Sequence, residues 1–143
     1  MPRILFVEDE YHRIQRFGDR LRGKGWEVEN VPDASNAASR MAYEPYDLVV
    51  IDIMIPPGDD RRFYSGMPAG VKLLQLLTEG KIAKKSPCKD RRPGVIVLTA
   101  YPNQVPTSTA GSGVVILEKP VIFEEFFAVA ERLLCRKKPE TAD

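Results

Sequence analysis

Three short apolar runs of this chain end on charges. ILFVEDE closes on Glu8 and Asp9, DLVVIDIMIP carries Asp52, and GVVILEKP carries Lys119. A buried apolar run can end on a charge cheaply only where the charge emerges at an edge or meets a counter-ion. If the three runs are strands of one parallel sheet, their carboxyl ends share a rim, which then gathers three carboxylates and an ammonium. Such a set suits a divalent-metal and phosphoryl site. Hard oxygen ligands would hold the metal, a carboxylate would serve as nucleophile, and a compact cation would meet a phosphoryl oxygen.

The elements that must position these groups follow from hydrophobic periodicity. Apolar runs from Arg3 to Val7, Trp26 to Val31, Leu48 to Ile51, Val95 to Leu98 and Val114 to Leu117 read as strands. Four of them are nearly unbroken Val, Ile and Leu, which suits strands covered on both faces, whereas WEVEN alternates and reads as an edge. Between the runs, Ile14, Phe17 and Leu21, then Ala34, Ala37, Ala38 and Met41, then Val71, Leu74 and Leu77 recur at helical spacing. Phe123, Phe126, Phe127, Ala130, Leu133 and Leu134 form the broad apolar face of the last helix. Strands alternating with helices predict an α/β fold, a three-layer sandwich around a five-stranded parallel sheet with right-handed crossovers.

Some stretches depart from that rhythm. Pro102 to Gly113 is the place for a fourth helix, but Pro106 and the small polar residues around it predict one that is short or irregular. Pro56 to Ala69 is a long loop rich in Pro and Gly. It and Pro102 to Gly113 are expected to make few packed contacts, and a phosphoryl group at Asp52 is expected to order both. Gly80 to Gly94 is a basic connector, and RKKPETAD, residues 136–143, reads as a disordered tail.

Bulk composition narrows the function classes. A chain of 143 residues accommodates one domain and leaves no room for a separate effector domain. With 21 basic against 20 acidic residues, the formal net charge is +1, and the electrostatic footprint of a nucleic-acid binder is missing. Cys88 and Cys135 form neither a metal-ligand spacing nor a disulfide framework, which fits a reducing compartment. The apolar start is too short for a signal peptide or membrane insertion, so the expected location is cytoplasmic. Taken singly, each charged residue also has a plainer reading. Glu8, Asp9 and Glu10 would suit the first turn of a helix, Asp52 a cap, and Lys119 a solvated surface. His12 reads as a solvated residue of the first helical turn.

Taken in order, these features resemble a response-regulator receiver domain. They are the acidic pair Glu8-Asp9 after the first strand, Asp52 after the third with Pro56 four residues on, Thr99-Ala100 after the fourth, and Lys119-Pro120 after the fifth. The resemblance spans nearly the whole chain and implies a flavodoxin-like strand order 2-1-3-4-5. By the same resemblance Asp52 accepts the phosphoryl group, with Thr99 and Lys119 binding phosphoryl oxygens. Mg²⁺ (or Mn²⁺) would be held directly by Asp9, Asp52 and the Met54 carbonyl, and through water by Glu8. The implied function is a stand-alone phosphorelay switch, not an enzyme beyond weak self-phosphorylation and autophosphatase chemistry. Its phosphoryl group would come from a histidine kinase or histidine phosphotransfer protein, and it would signal to a downstream protein. Ile116 stands where such domains usually carry an aromatic residue. This keeps a competing expectation in view, a pseudo-receiver that binds protein without phosphorylation.

Overall fold

The computed structural model describes residues 1–82, 93–106 and 113–134. Strands β1 (Arg3–Val7), β2 (Glu27–Val31), β3 (Leu48–Asp52), β4 (Gly94–Thr99) and β5 (Val114–Glu118) alternate with helices α1 (Gln15–Gly23), α2 (Ala34–Tyr43), α3 (Ala69–Thr78) and α4 (Phe123–Leu133). Every strand pair is parallel and the order is β2-β1-β3-β4-β5, as expected. The register sets Val7 beside Ile51, Asp52 beside Leu98 and Thr99 beside Glu118. The ends of four strands therefore meet on one rim.

Period-two alternation along the strands divides the core into two layers. Leu5, Val7, Val49, Ile51, Val95 and Val97 face Ala34, Ala37, Ala38 and Met41 of α2 and Val71, Leu74 and Leu77 of α3. On the other face Ile4, Phe6, Val50, Ile96 and Leu98 pack with Leu21 of α1 and with Phe123, Phe126 and Ala130 of α4. Phe126 stacks on Phe6 (6.0 Å between centroids), and Phe17 meets Phe126 (5.0 Å), so the aromatic face of the last helix is core.

Three local readings are revised, and a further one falls largely outside the described residues. WEVEN is indeed an edge, but β5 is the opposite edge, and its residues from Val114 to Leu117 are only half-buried; a strand paired on one side is not enclosed by its own apolar sequence. Tyr11–Arg13 form a 3₁₀ turn, so exposed His12 precedes α1 instead of sitting in it. Beyond Thr99 the described chain holds one 3₁₀ turn, Pro102–Gln104, and the remainder expected to contain an irregular helix lies outside the described residues. Most of the basic connector and the 136–143 tail lie outside them too.

The third revision concerns residues 56–68, which are mostly exposed but tied to the start of α2 and anchored by Phe63. The Ala34 and Ser35 amides, the first N–H groups of α2, donate to Pro56 O and Pro57 O (3.0 Å each). The Ser35 hydroxyl donates to Pro57 O and accepts from the Asp60 amide (2.8 Å). Tyr64 OH donates back to Gly58 O, closing the turn, and Phe63 is 2% exposed, buried in the α2/α3 layer. Gly58 has φ +79°, and a Cβ there would strike Ser35. A helix start needs acceptors for its first amides, and this segment supplies two of them as backbone carbonyls, a role that Pro and Gly composition conceals.

Candidate functional site

Glu8 ends β1 as its amide donates to Val31 O of β2 (3.0 Å), an extension of the ladder that draws the side chain under the rim until 5% remains exposed. Its Oε1 accepts from the Glu10 amide (3.1 Å), and its Oε2 lies 3.4 Å from Lys119 Nζ. Asp52, the last residue of β3, keeps 14% of its side chain exposed; Oδ1 accepts from the Met54 amide (3.0 Å) and Oδ2 lies 3.2 Å from the same Nζ. One ammonium is thus shared by two carboxylates. Burial, chiefly, and then the neighbouring Asp52 carboxyl push Glu8 up to about 7, against the opposing pull of the Glu10 amide and Lys119.

Asp9 follows on the exposed side. Its carboxylate groups with those of Glu8 and Glu10, with ligand oxygens all within 4.8 Å of one another. Glu10 also meets Arg13 at 3.2 Å. These acids do not open a helix: α1 starts at Gln15 and has none in its first turn. Asp52 joins the cluster through Glu8 and Lys119. Met54 contributes its amide to Asp52, and its side chain is 52% exposed.

β4 and β5 bring the other two groups. Thr99 is fully buried at the end of β4, and its hydroxyl oxygen accepts from the Tyr101 amide (2.9 Å). The hydroxyl proton is then left to donate to a further acceptor. Its carbonyl accepts from the Lys119 amide (2.8 Å), which fixes the base of the lysine, and the Lys119–Pro120 bond is cis. Lys119 also lines a cavity of about 470 Å³ with Arg13, Ile14, Phe17, Leu98, Ala100, Pro120 and Val121. The predicted Glu8, Asp52 and Lys119 therefore touch one another, Asp9 adjoins them, and Thr99 stands on the next strand.

A hard divalent cation fits this donor set. Every candidate ligand is an oxygen, and among the described residues the buried carboxylate has one ammonium, shared with Asp52, against it, so added positive charge relieves the cluster. Sequence reasoning gave too little weight to Glu10, whose adjacency to two acids was the available signal. Two further contributors, Ser35 and the Tyr101 amide, carried no local signal, because they act through contacts made only in the fold.

No protein-family model matches the chain, and no curated protein does. Solved structures do. The response regulator TrrA from Thermotoga maritima, in complex with Mg²⁺-BeF, is 25% identical over 94% of this chain and 100% of that one, with a TM-score of 0.68. The non-phosphorylated HemR receiver domain from Leptospira biflexa is 23% identical over 98% and 99%, TM-score 0.67. The receiver domain of the sensor histidine kinase PA1611 from Pseudomonas aeruginosa, with a magnesium ion in its active-site cleft, is 19% identical over 92% and 96%, TM-score 0.67. The chain has the fold of response-regulator receiver domains.

Proposed function

We propose that this chain is a phosphoacceptor receiver that takes a phosphoryl group on Asp52. The observation that carries the reading is the grip on that carboxylate. One oxygen is held by the Met54 amide and the other by Lys119, while the residue keeps an opening to solvent at a strand end. A carboxylate oxygen attacks phosphorus as the bond to the donor's leaving group breaks, yielding an aspartyl phosphate. Lys119 is already at bonding distance and exchanges a carboxylate for a phosphoryl oxygen; the buried Thr99 hydroxyl keeps its proton for another. Mg²⁺ or Mn²⁺, held by Asp9, Asp52 and the Met54 carbonyl with Glu8 acting through water, would neutralise the charge that repels an anionic donor. Two of the similar structures carry magnesium, one with BeF, which supports that assignment.

The same reading names the donor class. A histidine kinase or histidine phosphotransfer protein must bring its phosphohistidine to Asp52 across the rim. The cavity beside Lys119 offers such a partner Ile14, Phe17, Leu98 and Val121 for apolar contact, bordered by Arg13. The product is a switch that signals through protein contacts, with no turnover beyond self-phosphorylation and autophosphatase chemistry. Among the described residues no helix is long and apolar enough to cross a membrane.

Mass spectrometry after incubation with acetyl phosphate and Mg²⁺ tests the proposal. One phosphoryl adduct is expected on the wild-type chain and none on Asp52→Asn. An unlabelled wild-type chain, or a labelled Asp52→Asn, refutes it, the former in favour of the phosphorylation-independent binding module.

A further inference from the structure

The peptide that follows Asp52 is pressed from behind by the first turn of α3. Gly70 is buried there, and its amide donates to Ile53 O at 3.1 Å. A Cβ built on Gly70 would lie 2.5 Å from Asp52 O, 2.5 Å from Ile53 Cα and 2.6 Å from Ile53 O. All three atoms are backbone, so none can move away by rotating a side chain. Ordinary van der Waals separation would be restored only by moving α3 or the 52–54 backbone by about 1 Å. Packing resists the first movement: Ala69, Val71, Leu73 and Leu74 are all buried, with Leu73 fully enclosed. The 52–54 segment faces the open rim; Ile53, 1% exposed, is its core side chain, while Asp52 is held by polar contacts to the Met54 amide and Lys119. The displacement is therefore directed toward the site.

We propose that Gly70 is a positioning residue for the metal and phosphoryl site, its missing side chain setting where the Asp52 carboxylate and the Met54 carbonyl sit on the rim. The inference rests on the reading of Asp52 and Met54 as metal ligands and adds the element that holds them in place. The coupling is direct, since the Gly70 amide bonds to Ile53 O and the place of its absent Cβ abuts Asp52 O and the Ile53 backbone. Octahedral Mg²⁺ tolerates little displacement, with ligand distances of about 2.0–2.1 Å, so a shift of about 1 Å in the backbone removes a ligand. Loss of orienting contacts behind metal ligands lowers affinity by about 10–100-fold.

The test is a magnesium chloride titration of wild type and Gly70→Ala, followed by amide NMR shifts at Asp9, Asp52 and Ile53. The acetyl phosphate labelling rate is recorded as a function of Mg²⁺, and each protein's melting temperature is measured. The expected result for Gly70→Ala is a magnesium midpoint raised at least ten-fold, with labelling regained as magnesium is raised. A purely structural glycine would lower the melting temperature and leave the magnesium midpoint in place; that outcome overturns the proposal. A second measurement on the wild-type chain covers a variant that fails to fold: exchange of the Gly70 amide should slow several-fold on magnesium binding, because its acceptor belongs to the peptide being fixed. An unchanged rate in a wild-type chain that binds magnesium also overturns it. A wild-type chain that binds no magnesium removes the metal assignment and this inference together, whereas binding with an indifferent Gly70→Ala removes this inference alone.

Discussion

Phe63→Ala tests whether residues 56–68 are a fixed part of the rim. Phe63 is 2% exposed in the layer between α2 and α3, and truncating such a side chain typically costs 3–5 kcal/mol when its surroundings stay in place. Here they have a local alternative. Residues 56–64 are tied down by the Ala34, Ser35, Asp60 and Tyr64 bonds, each worth about 1 kcal/mol net, and can release as a unit once the anchor is gone. We therefore expect a loss at the low end, about 3 kcal/mol, lowering the melting temperature by about 6–12 °C. Trp26 lies on the other face, 5.5 Å from Phe127, so its fluorescence reports global unfolding and not release of the segment. Hydrogen exchange reports release. The Ala34 and Ser35 amides, which bond to Pro56 O and Pro57 O, should lose at least ten-fold protection, whereas the Asn36 amide, capped by Asp33 Oδ1 at 2.7 Å within α2 itself, should keep its own. A variant that loses stability with Ala34 and Ser35 as protected as in the wild type would refute the reasoning.

Glu8→Gln should stabilise the metal-free protein by about 1–3 kcal/mol at pH 8 in EDTA, because it removes a buried charge that shares the Lys119 ammonium with Asp52. Thermal melts check this, and a lower melting temperature for the variant would contradict it. The remaining expectation is an acid limb set by Glu29. Partial burial pushes its carboxyl up, but Tyr46 OH (2.7 Å), Arg40 and Arg3 (2.7 Å) outweigh that and hold it down at about 2. A carboxyl whose folded pKa lies below its unfolded value contributes stability that is full above about pH 4.5 and is lost as pH falls toward 2. With about a quarter of the side chain exposed, solvent screening reduces that contribution to about 1–2 kcal/mol. Glu29→Gln should cost this much at pH 7 and flatten the stability profile between pH 4.5 and 2; a profile as steep as the wild type's would count against it.

The sheet was legible because its strands are locally self-declaring. Val, Ile and Leu runs of strand length, separated by helical periodicity, leave a parallel α/β sandwich as the economical solution, and each run's terminal charge marks the carboxyl rim. That logic placed Asp52 and Lys119 at the rim, while Thr99 was singled out by the resemblance to receiver domains. The logic was weaker wherever coverage depends on neighbours. β5 has the same apolar sequence as β4, yet Gly94–Thr99 is fully enclosed and Val114–Leu117 is half-buried, because enclosure belongs to the position in the sheet. Depth within the acidic pair was hidden for the same reason. Nothing in VEDE distinguishes Glu8 from Asp9, yet one extra ladder bond to Val31 buries the first and leaves the second exposed.

Rigidity behind the acceptor was the least legible feature. Pro, Gly and small polar residues in 56–68 suggest a segment with little to lose, an inference that assumes its bonds would have to come from within. Several of them come from elsewhere: Ala34 and Ser35 lie more than twenty residues upstream, and the seat for Phe63 is built by two helices. On the other side Gly70 admits α3 against the 52–53 peptide. The short stretch carrying Asp52 and Met54 is thus held between the α2 start and the α3 start. Pre-organised ligands lower the cost of binding a small, strictly octahedral cation, because no backbone need be ordered at the moment of binding. The same fixity argues against the loop as the part that becomes ordered on phosphorylation. Ile116, packed against the α2/α3 layer from β5, offers no aromatic side chain to swing. The pliant contact left at the rim is the one between the Thr99 hydroxyl and the Tyr101 amide. It can break without unseating a core residue, and under the proposed function it can shift as the Thr99 hydroxyl proton turns to a phosphoryl oxygen.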